Sequence, residues 1–402
     1  MKVLILGGDG YLGWPTAMYL SRLGYDVSVV DSYFRRWACH ELDTEPLISV
    51  PNLQQRAQLW KDVSGIDIQV AIGDITDYSF LSRCFTGQAF AGSKIKDQRL
   101  KPEGYRGGPD AVVHYAEQPS APYSMMGREK AVFTLTNNLV GTANLIHAVK
   151  EFNPDCHIVK LGTMGVYGTP NIDIEEGYLD VEHKGRRHTF LYPKAPGSLY
   201  HLTKAQDGDM LYFYCRMWDM RVTDLNQGPV YGSSTEESGH DERLLSIFNY
   251  DDVFGTVLNR FLVQAVSGFP LTVYGKGGQV RGYLNIKDTL ACVELSIRNP
   301  AGKGQYRVFN QFVETFSVNE LAEKVQQVGN QLGLTVEIKS IDNPRKEAEE
   351  HYYNPVHTGL MDIGLKPHYL TDEVLAEMLE FVLKYRERIN KGYILPRVKW
   401  NS

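Results

Sequence analysis

Short apolar runs alternate along the first half of the chain with longer stretches in which apolar residues return every third or fourth position. Lys2–Leu6, Asp26–Val30, Ile66–Ile72, Ala111–His114, His157–Leu161 and Arg221–Leu225 are apolar on both faces and rich in β-branched residues, as strands buried in a parallel sheet are. Between them, Leu135, Leu139, Thr142, Ile146 and Val149 fall on one face at helical spacing. Alternating β and α elements require right-handed crossovers, so the expected fold class is α/β, a doubly wound parallel sheet.

Beyond about Gly228 the rhythm changes. Pro270–Arg281 is rich in glycine and reads as loops with short strands. Ser317-Val318-Asn319-Glu320 is a capping box opening a helix that ends near Gly333. A last helix starting at Thr371 places Leu375, Met378 and Val382 on one face. The expected organisation is a sheet domain over residues 1–225, with a return segment near 283–312, and a smaller lobe made mainly of residues 226–402. Residues 88–108 carry Lys94, Lys96, Arg99, Lys101 and Arg106 among glycines and read as a solvated insertion loop.

Composition narrows the function classes. Of 402 residues, 43% are hydrophobic and 22% charged, and the formal charge of -6 provides no basic field for nucleic acid or an anionic membrane. Five cysteines (Cys39, Cys84, Cys156, Cys215, Cys292) lie far apart, which argues against a disulfide framework and against a metal site. The opening run Met1–Leu6 is cut by Gly7-Gly8-Asp9-Gly10 too early for a signal peptide, and no stretch suits a membrane span. The expected location is the cytoplasm, or an organelle stroma as a mature form.

Gly7-x-x-Gly10-x-x-Gly13 follows the first strand and opens the first helix, where glycines permit a tight turn and let backbone approach a pyrophosphate. Pro15 suits the first helical turn. A glycine turn without ligand is the plain alternative, but Asp31 at the end of the second strand completes the dinucleotide-binding pattern of a Rossmann fold. Asp31 is expected to accept from the adenosine ribose, which favours NAD. Arg35 and Arg36 follow closely and would instead suit a 2′-phosphate, although the carboxylate repels one. Asp74-Ile75 ends the third strand, where the adenine edge lies. The expected cofactor contacts are Gly7, Gly10, Tyr11, Leu12, Gly13, Asp31, Ser32, Arg35, Asp74 and Ile75.

Tyr200-His201-Leu202-Thr203-Lys204 places tyrosine and lysine one helical turn apart. A tyrosine of pKa about 10 is a poor base at neutral pH, and an ammonium alongside stabilises its phenolate. The phenolate can then remove a hydroxyl proton. Leu161-Gly162-Thr163 ends the fifth strand, placing Thr163 to hydrogen-bond the oxygen of the same hydroxyl. Asn137 is a polar interruption of the fourth helix, readable equally as a satisfied core asparagine.

At these residues the chain resembles the UDP-sulfoquinovose synthase family of extended short-chain dehydrogenases. The resemblance rests on Gly7–Tyr11, Ser120–Met125, Lys160–Gly165, Tyr167–Gly177 and Asp224–Gly228, then on Val253–Phe261, Tyr274–Tyr283 and Glu347–Asn354. It implies a Rossmann domain, a substrate lobe, and conversion of UDP-glucose and sulfite to UDP-sulfoquinovose. NAD oxidises the 4-hydroxyl with Tyr200 as base, Lys204 as its tuner and Thr163 as partner; water is lost across carbons 5 and 6; sulfite adds at carbon 6; and the retained cofactor reduces carbon 4 again. It further implies cofactor contacts from Asn137, Tyr200, Lys204, Gln227 and Val230. For the nucleotide it implies Val257, Asn259, Arg260, Thr272, Tyr274, Arg345 and Glu347, with Arg281 as pyrophosphate ligand, and homodimers formed through Leu135–Val149 and Tyr200–Trp218.

Three departures qualify that reading. Ordinary 4,6-dehydratases carry Asp-Glu directly after the threonine, where this chain has Met164-Gly165; His201 and Glu117 are the candidates to replace them. Plant-type members have arginine after Glu117-Gln118, where this chain has Pro119 and where Arg128 is the candidate compensation. Val166 stands where they carry glutamate. A UDP-sugar 4-epimerase needs the same Tyr200, Lys204, Thr163 and NAD, but the long motifs argue against it. A cofactor-sensing regulator would be expected to lose the Tyr-Lys pair. A non-catalytic module that hands on an activated sugar would turn over no sugar nucleotide.

Overall fold

The computed structural model describes residues 1–90, 107–344 and 352–398. The basic segment with Lys94, Lys96, Arg99, Lys101 and Arg106, and the predicted ligands Arg345 and Glu347, lie outside these described residues. All six apolar runs contribute strands to one sheet: β1 (Lys2–Leu6), β2 (Asp26–Asp31), β3 (Gln69–Ile72), β4 (Ala111–His114), β5 (His157–Thr163) and β6 (Arg221–Gln227). A seventh, β7 (Tyr306–Gln311), joins at the edge, giving the order β7-β6-β5-β4-β1-β2-β3 with every pairing parallel. β3 starts later than the pattern predicts, because Gly65 turns the preceding helix off at φ 75° and residues 66–68 span the gap. β1 lies between β2 and β4, so the winding reverses there and a crevice opens above the carboxyl ends of the strands.

Side chains alternate across the sheet into two cores. Val3 and Ile5 face Trp14, Ala17, Met18 and Trp60, while Leu4 and Leu6 face Leu145, Ile146, Val149 and Leu211. The fourth-helix face shifts from the predicted one. A π-turn at Thr136–Val140 inserts extra backbone into the helix, so the buried positions become Thr134, Asn138, Thr142, Leu145, Ile146 and Val149, leaving Leu135 and Leu139 half-buried.

A third core is built by the helices Val257–Ser267, Val318–Gln331 and Asp372–Lys384, which bury Leu258, Phe261, Leu321, Val325, Leu375, Met378 and Val382 against one another. Short strands accompany them: Leu271–Tyr274 pairs with Ile338–Ile341, and Val280–Asn285 pairs with Glu314–Ser317 and with Val230–Tyr231. A hairpin of Tyr178–His183 and Arg186–Leu191 projects from the sheet domain with most of its residues exposed. Among the described residues, no helix is long and apolar enough to cross a membrane, and the five cysteines are buried and free of disulfides.

The helix Val318–Gln331 begins on a complete capping box. Ser317 Oγ accepts from the Glu320 N–H at 3.1 Å, and the Glu320 carboxylate accepts from the Ser317 N–H at 2.6 Å. Ser317→Ala is therefore expected to destabilise the protein by about 1 kcal/mol in denaturant unfolding.

Candidate active site

A cleft of about 730 Å³ lies above the carboxyl ends of the strands and is closed on its far side by the second lobe. Gly7 adopts φ 93°, and the N–H groups of Gly7 and Gly8 both donate to Val30 O at 2.8 and 3.0 Å. A Cβ at Gly13 would stand 2.0 Å from Gly7 O, so only glycine lets the first helix start this close to the turn. Its N-terminal amides consequently border the cleft. Asp31 accepts from the Asp9 N–H at 2.8 Å and the Tyr33 N–H at 2.6 Å. Burial, assisted by Asp9, pushes its carboxyl up to about 6.

From that carboxylate the wall runs past Ser32, Arg35, Asp74 and Ile75, along Gly7, Gly10, Tyr11, Leu12 and Gly13, and on to Asn137, Gln227, Val230, Thr163 and Tyr200. An acceptor at the ribose end, backbone donors at mid-groove and hydroxyls at the far end fit an extended dinucleotide. Asn137 faces this groove. The satisfied core asparagine is its neighbour, Asn138, which accepts from the Gln118 N–H at 2.8 Å and donates to Thr203 Oγ1 at 2.9 Å.

Ser198 caps the helix Leu199–Trp218, accepting from the His201 N–H at 3.2 Å, and the Tyr200 N–H donates to Ser124 Oγ at 3.1 Å. Tyr200 and Thr163 both reach the cleft. Lys204 does not line it. Its ammonium is buried beneath, donating to Leu161 O and pairing with Glu117 Oε2 at 2.7 Å, with the Tyr200 ring centroid 5.9 Å away. The lysine expected beside a phenolate thus has a carboxylate as its near partner. Burial, and after it Glu117, pushes the Tyr200 hydroxyl above its ordinary value. For Glu117 burial acts upward, but Lys204 above all outweighs it and holds the carboxyl below the usual range. His114, 3.8 Å from Glu117, is pushed down to about 4 by burial and is neutral at physiological pH.

His201 forms cleft wall rather than facing solvent. Its Nδ1 lies 2.9 Å from Ser198 Oγ, and its ring centroid is 5.1 Å from that of Tyr200. A Cβ at Gly165 would come within 2.4 Å of its Nε2. The space that a side chain at residue 165 would fill is taken by the imidazole.

On the second lobe, Val257, Asn259, Arg260, Tyr274 and Arg281 line the cleft. Arg260 donates to the Tyr274 hydroxyl at 2.7 Å and to Thr272 O at 3.2 Å, with its guanidinium 4.2 Å over the Tyr274 ring. Thr272 stands behind the wall, where its hydroxyl accepts from Gln264 Nε2 at 2.7 Å, so its part is to hold Arg260. Arg128 is exposed at the start of its helix and is not a wall residue, whereas Pro119 is. The sequence pattern missed Asn249, Phe254, Gln279 and Tyr353, which line the same cleft. Asn249 sits in a segment that no motif marks, whereas Phe254, Gln279 and Tyr353 fall inside stretches that carry the family resemblance, which assigns them no role of their own.

An ionised carboxylate accepts from ribose hydroxyls, and a protonated one does so poorly. With this carboxyl titrating near 6, NAD affinity is expected to weaken about tenfold from pH 7 to pH 5. Calorimetric titration of cofactor-depleted protein checks this, with Asp31→Asn giving a flat profile.

The profile of the NAD dependent epimerase/dehydratase family matches residues 3–310. Over 401 residues the chain is 51% identical to the chloroplastic UDP-sulfoquinovose synthase of Spinacia oleracea, covering 100% of this chain and 79% of the relative. It is 43% identical over 407 residues to the UDP-sulfoquinovose synthase of Sulfolobus acidocaldarius, covering 100% of this chain and 98% of that one. The fold matches UDP-glucose 4-epimerase from Bifidobacterium longum, solved in complex with NAD+ and UDP, with a TM-score of 0.68 and 19% identity over 97% of this chain and 100% of the other. With identity running the full length at this level, the chain belongs to the UDP-sulfoquinovose synthase family, within the NAD-dependent epimerase/dehydratase enzymes.

Proposed function

We propose that this protein converts UDP-glucose and sulfite to UDP-sulfoquinovose. The observation that carries the reading is the imidazole of His201 seated against Gly165: the site keeps the oxidising pair Tyr200 and Thr163 but replaces the usual acidic residues after the threonine with Met164-Gly165 and a neighbouring base. NAD, when bound, supplies reversible oxidation at carbon 4 of the sugar. Thr163 holds the 4-oxygen and Tyr200 takes its proton. With carbon 4 a ketone, the proton on carbon 5 is acidic. His201 removes it through Nε2 with Ser198 fixing the ring through Nδ1, and returns it to the 6-hydroxyl, which leaves as water. The sulfur lone pair of sulfite then adds at carbon 6 of the enone, and carbon 5 takes a proton from solvent. Tyr200 returns its proton to the 4-oxygen as the ketone is reduced back to the hydroxyl, for which the retained reduced cofactor would supply the hydride.

The nucleotide rests on Val257, Asn259, Arg260 and Tyr274, with Arg281 toward the pyrophosphate and with Arg345 and Glu347 completing the set. Arg128 lies outside the wall and is assigned no contact. In this division of labour residues 1–225 and the return segment hold NAD, and residues 226–402 mainly hold the UDP-sugar. Exposed apolar residues on the two neighbouring helices (Val132, Val140, Leu202, Phe213 and Met217) favour a homodimer through that face, and the cytoplasm or a stroma remains the proposed location.

Incubation with UDP-glucose is expected to give a product with the mass of UDP-sulfoquinovose only when sulfite is present. An isobaric epimer, or no turnover at any sulfite concentration, overturns the assignment. Tyr200→Phe is expected to lower kcat by about a hundredfold or more. His201→Gln should abolish solvent exchange at carbon 5 while leaving oxidation at carbon 4. Because Glu117 raises Tyr200, Glu117→Gln should move the acid limb of the kcat/KM profile to lower pH; a limb that stays in place shows that Glu117 does not set this ionisation.

A further inference from the structure

Two arginines follow Asp31, and their spacing suits a 2′-phosphate. The structure engages both elsewhere. Arg35 donates to Asn249 Oδ1 at 2.9 Å and lies 4.7 Å over the Phe254 ring. Arg36 turns to Asp9, with Nε to Oδ2 at 2.6 Å and Nη2 to Oδ1 at 2.9 Å, and also donates to Val50 O at 3.1 Å and Pro51 O at 2.7 Å. A third arginine, Arg56, is 0% exposed, sits 5.0 Å over the Trp14 ring and donates to the same Asp9 Oδ1 at 2.6 Å. Asp9 itself is 2% exposed, and its N–H donates to Asp31 Oδ2 at 2.8 Å. Arg36 and Arg56 therefore both pair with Asp9, the residue whose own N–H binds Asp31, and its single negative charge offsets one of the two guanidinium groups.

We propose that Asp9, a residue inside the glycine loop, sets the preference for NAD over NADP by holding Arg36 and Arg56 away from the ribose 2′ position. With Asp9 in place, Asp9, Asp31, Arg36 and Arg56 sum to zero charge, and a 2′-phosphate of charge near -2 meets the Asp31 carboxylate while Arg36 and Arg56 are engaged by Asp9 and Arg35 is turned to Asn249 and Phe254. Without it, two cations outnumber Asp31, and the planar fork of Arg36 suits a phosphate bidentately. Asp31 alone is a weak barrier, because burial pushes its carboxyl up to about 6 and so works against its ionisation.

Asp9→Asn tests this in the full chain by two binding readouts that need no turnover: the dinucleotides extracted from the purified protein, quantified by mass spectrometry, and calorimetric titration of cofactor-depleted protein with NAD+ and with NADP+. The ratio of NADP+ to NAD+ affinity is expected to rise by about tenfold or more, with NADP appearing in the extract, and Arg36→Ala added to Asp9→Asn should remove the gain. A folded Asp9→Asn protein, judged by circular dichroism, that keeps the wild-type ratio overturns the proposal, as does a gain that survives Arg36→Ala. If Asp9→Asn does not fold, Asp9→Ser is read in the same way.

Discussion

An ammonium withdrawn from water must meet an anion or give up its proton, because an isolated buried charge costs several kcal/mol. Lys204 is in that position: it lies beneath the cleft floor, 3% exposed, and Glu117 answers it at 2.7 Å. The pair fixes the lysine in one place and denies its full charge to Tyr200, whose hydroxyl stays above its ordinary value. A second buried ammonium, Lys160, is met by Asp224 at 3.3 Å and by Lys204 O at 3.3 Å. The catalytic helix therefore rests on a layer of paired charges that sets both its position and the acidity of its tyrosine.

The sheet order explains why cofactor and sugar chemistry meet where they do. Because β1 lies between β2 and β4, the carboxyl ends of the strands surround one crevice, and Asp31, Thr163 and Gln227 stand at the ends of β2, β5 and β6. The second lobe supplies the opposite wall through Arg260, Tyr274 and Arg281. Arg260 is held by groups of its own lobe, Tyr274 and Thr272 O, so its guanidinium is oriented before any ligand arrives.

Gly165 and His201 are reciprocal. Residue 165 follows Thr163 in a tight turn capped by the threonine hydroxyl at 3.1 Å, and only the absence of a side chain there admits the imidazole. The arrangement puts an imidazole from the helix where a side chain at residue 165 would stand, and leaves Tyr200 and Thr163 at the cleft. At the other end of the cleft one carboxylate, Asp9, likewise holds two side chains in place, pairing with both Arg36 and Arg56.

By itself the sequence determined what depends on local periodicity and backbone sterics. The strands at β1 and β4, the glycine turn before the first helix, the Ser317 capping box and the one-turn spacing of Tyr200 and Lys204 were all legible, because each is dictated by residues within a few positions of one another. The tertiary structure alone decided which side chains pair. Nothing near Lys204 in the chain marks Glu117 as its counter-ion, nothing near Arg36 marks Asp9, and neither the cleft-facing turn of His201 nor the withdrawal of Thr272 and Arg128 from the wall has a local signal. The physical reason is that a charge or polar group removed from water takes whichever partner the packing brings within reach, and that choice is made by strand order and by the approach of two lobes across long sequence separations. The π-turn at Thr136–Val140 makes the same point for packing: local spacing placed Leu135 and Leu139 inside, and one turn of altered helix, accommodated by its neighbours, buried Thr134 and Asn138 instead.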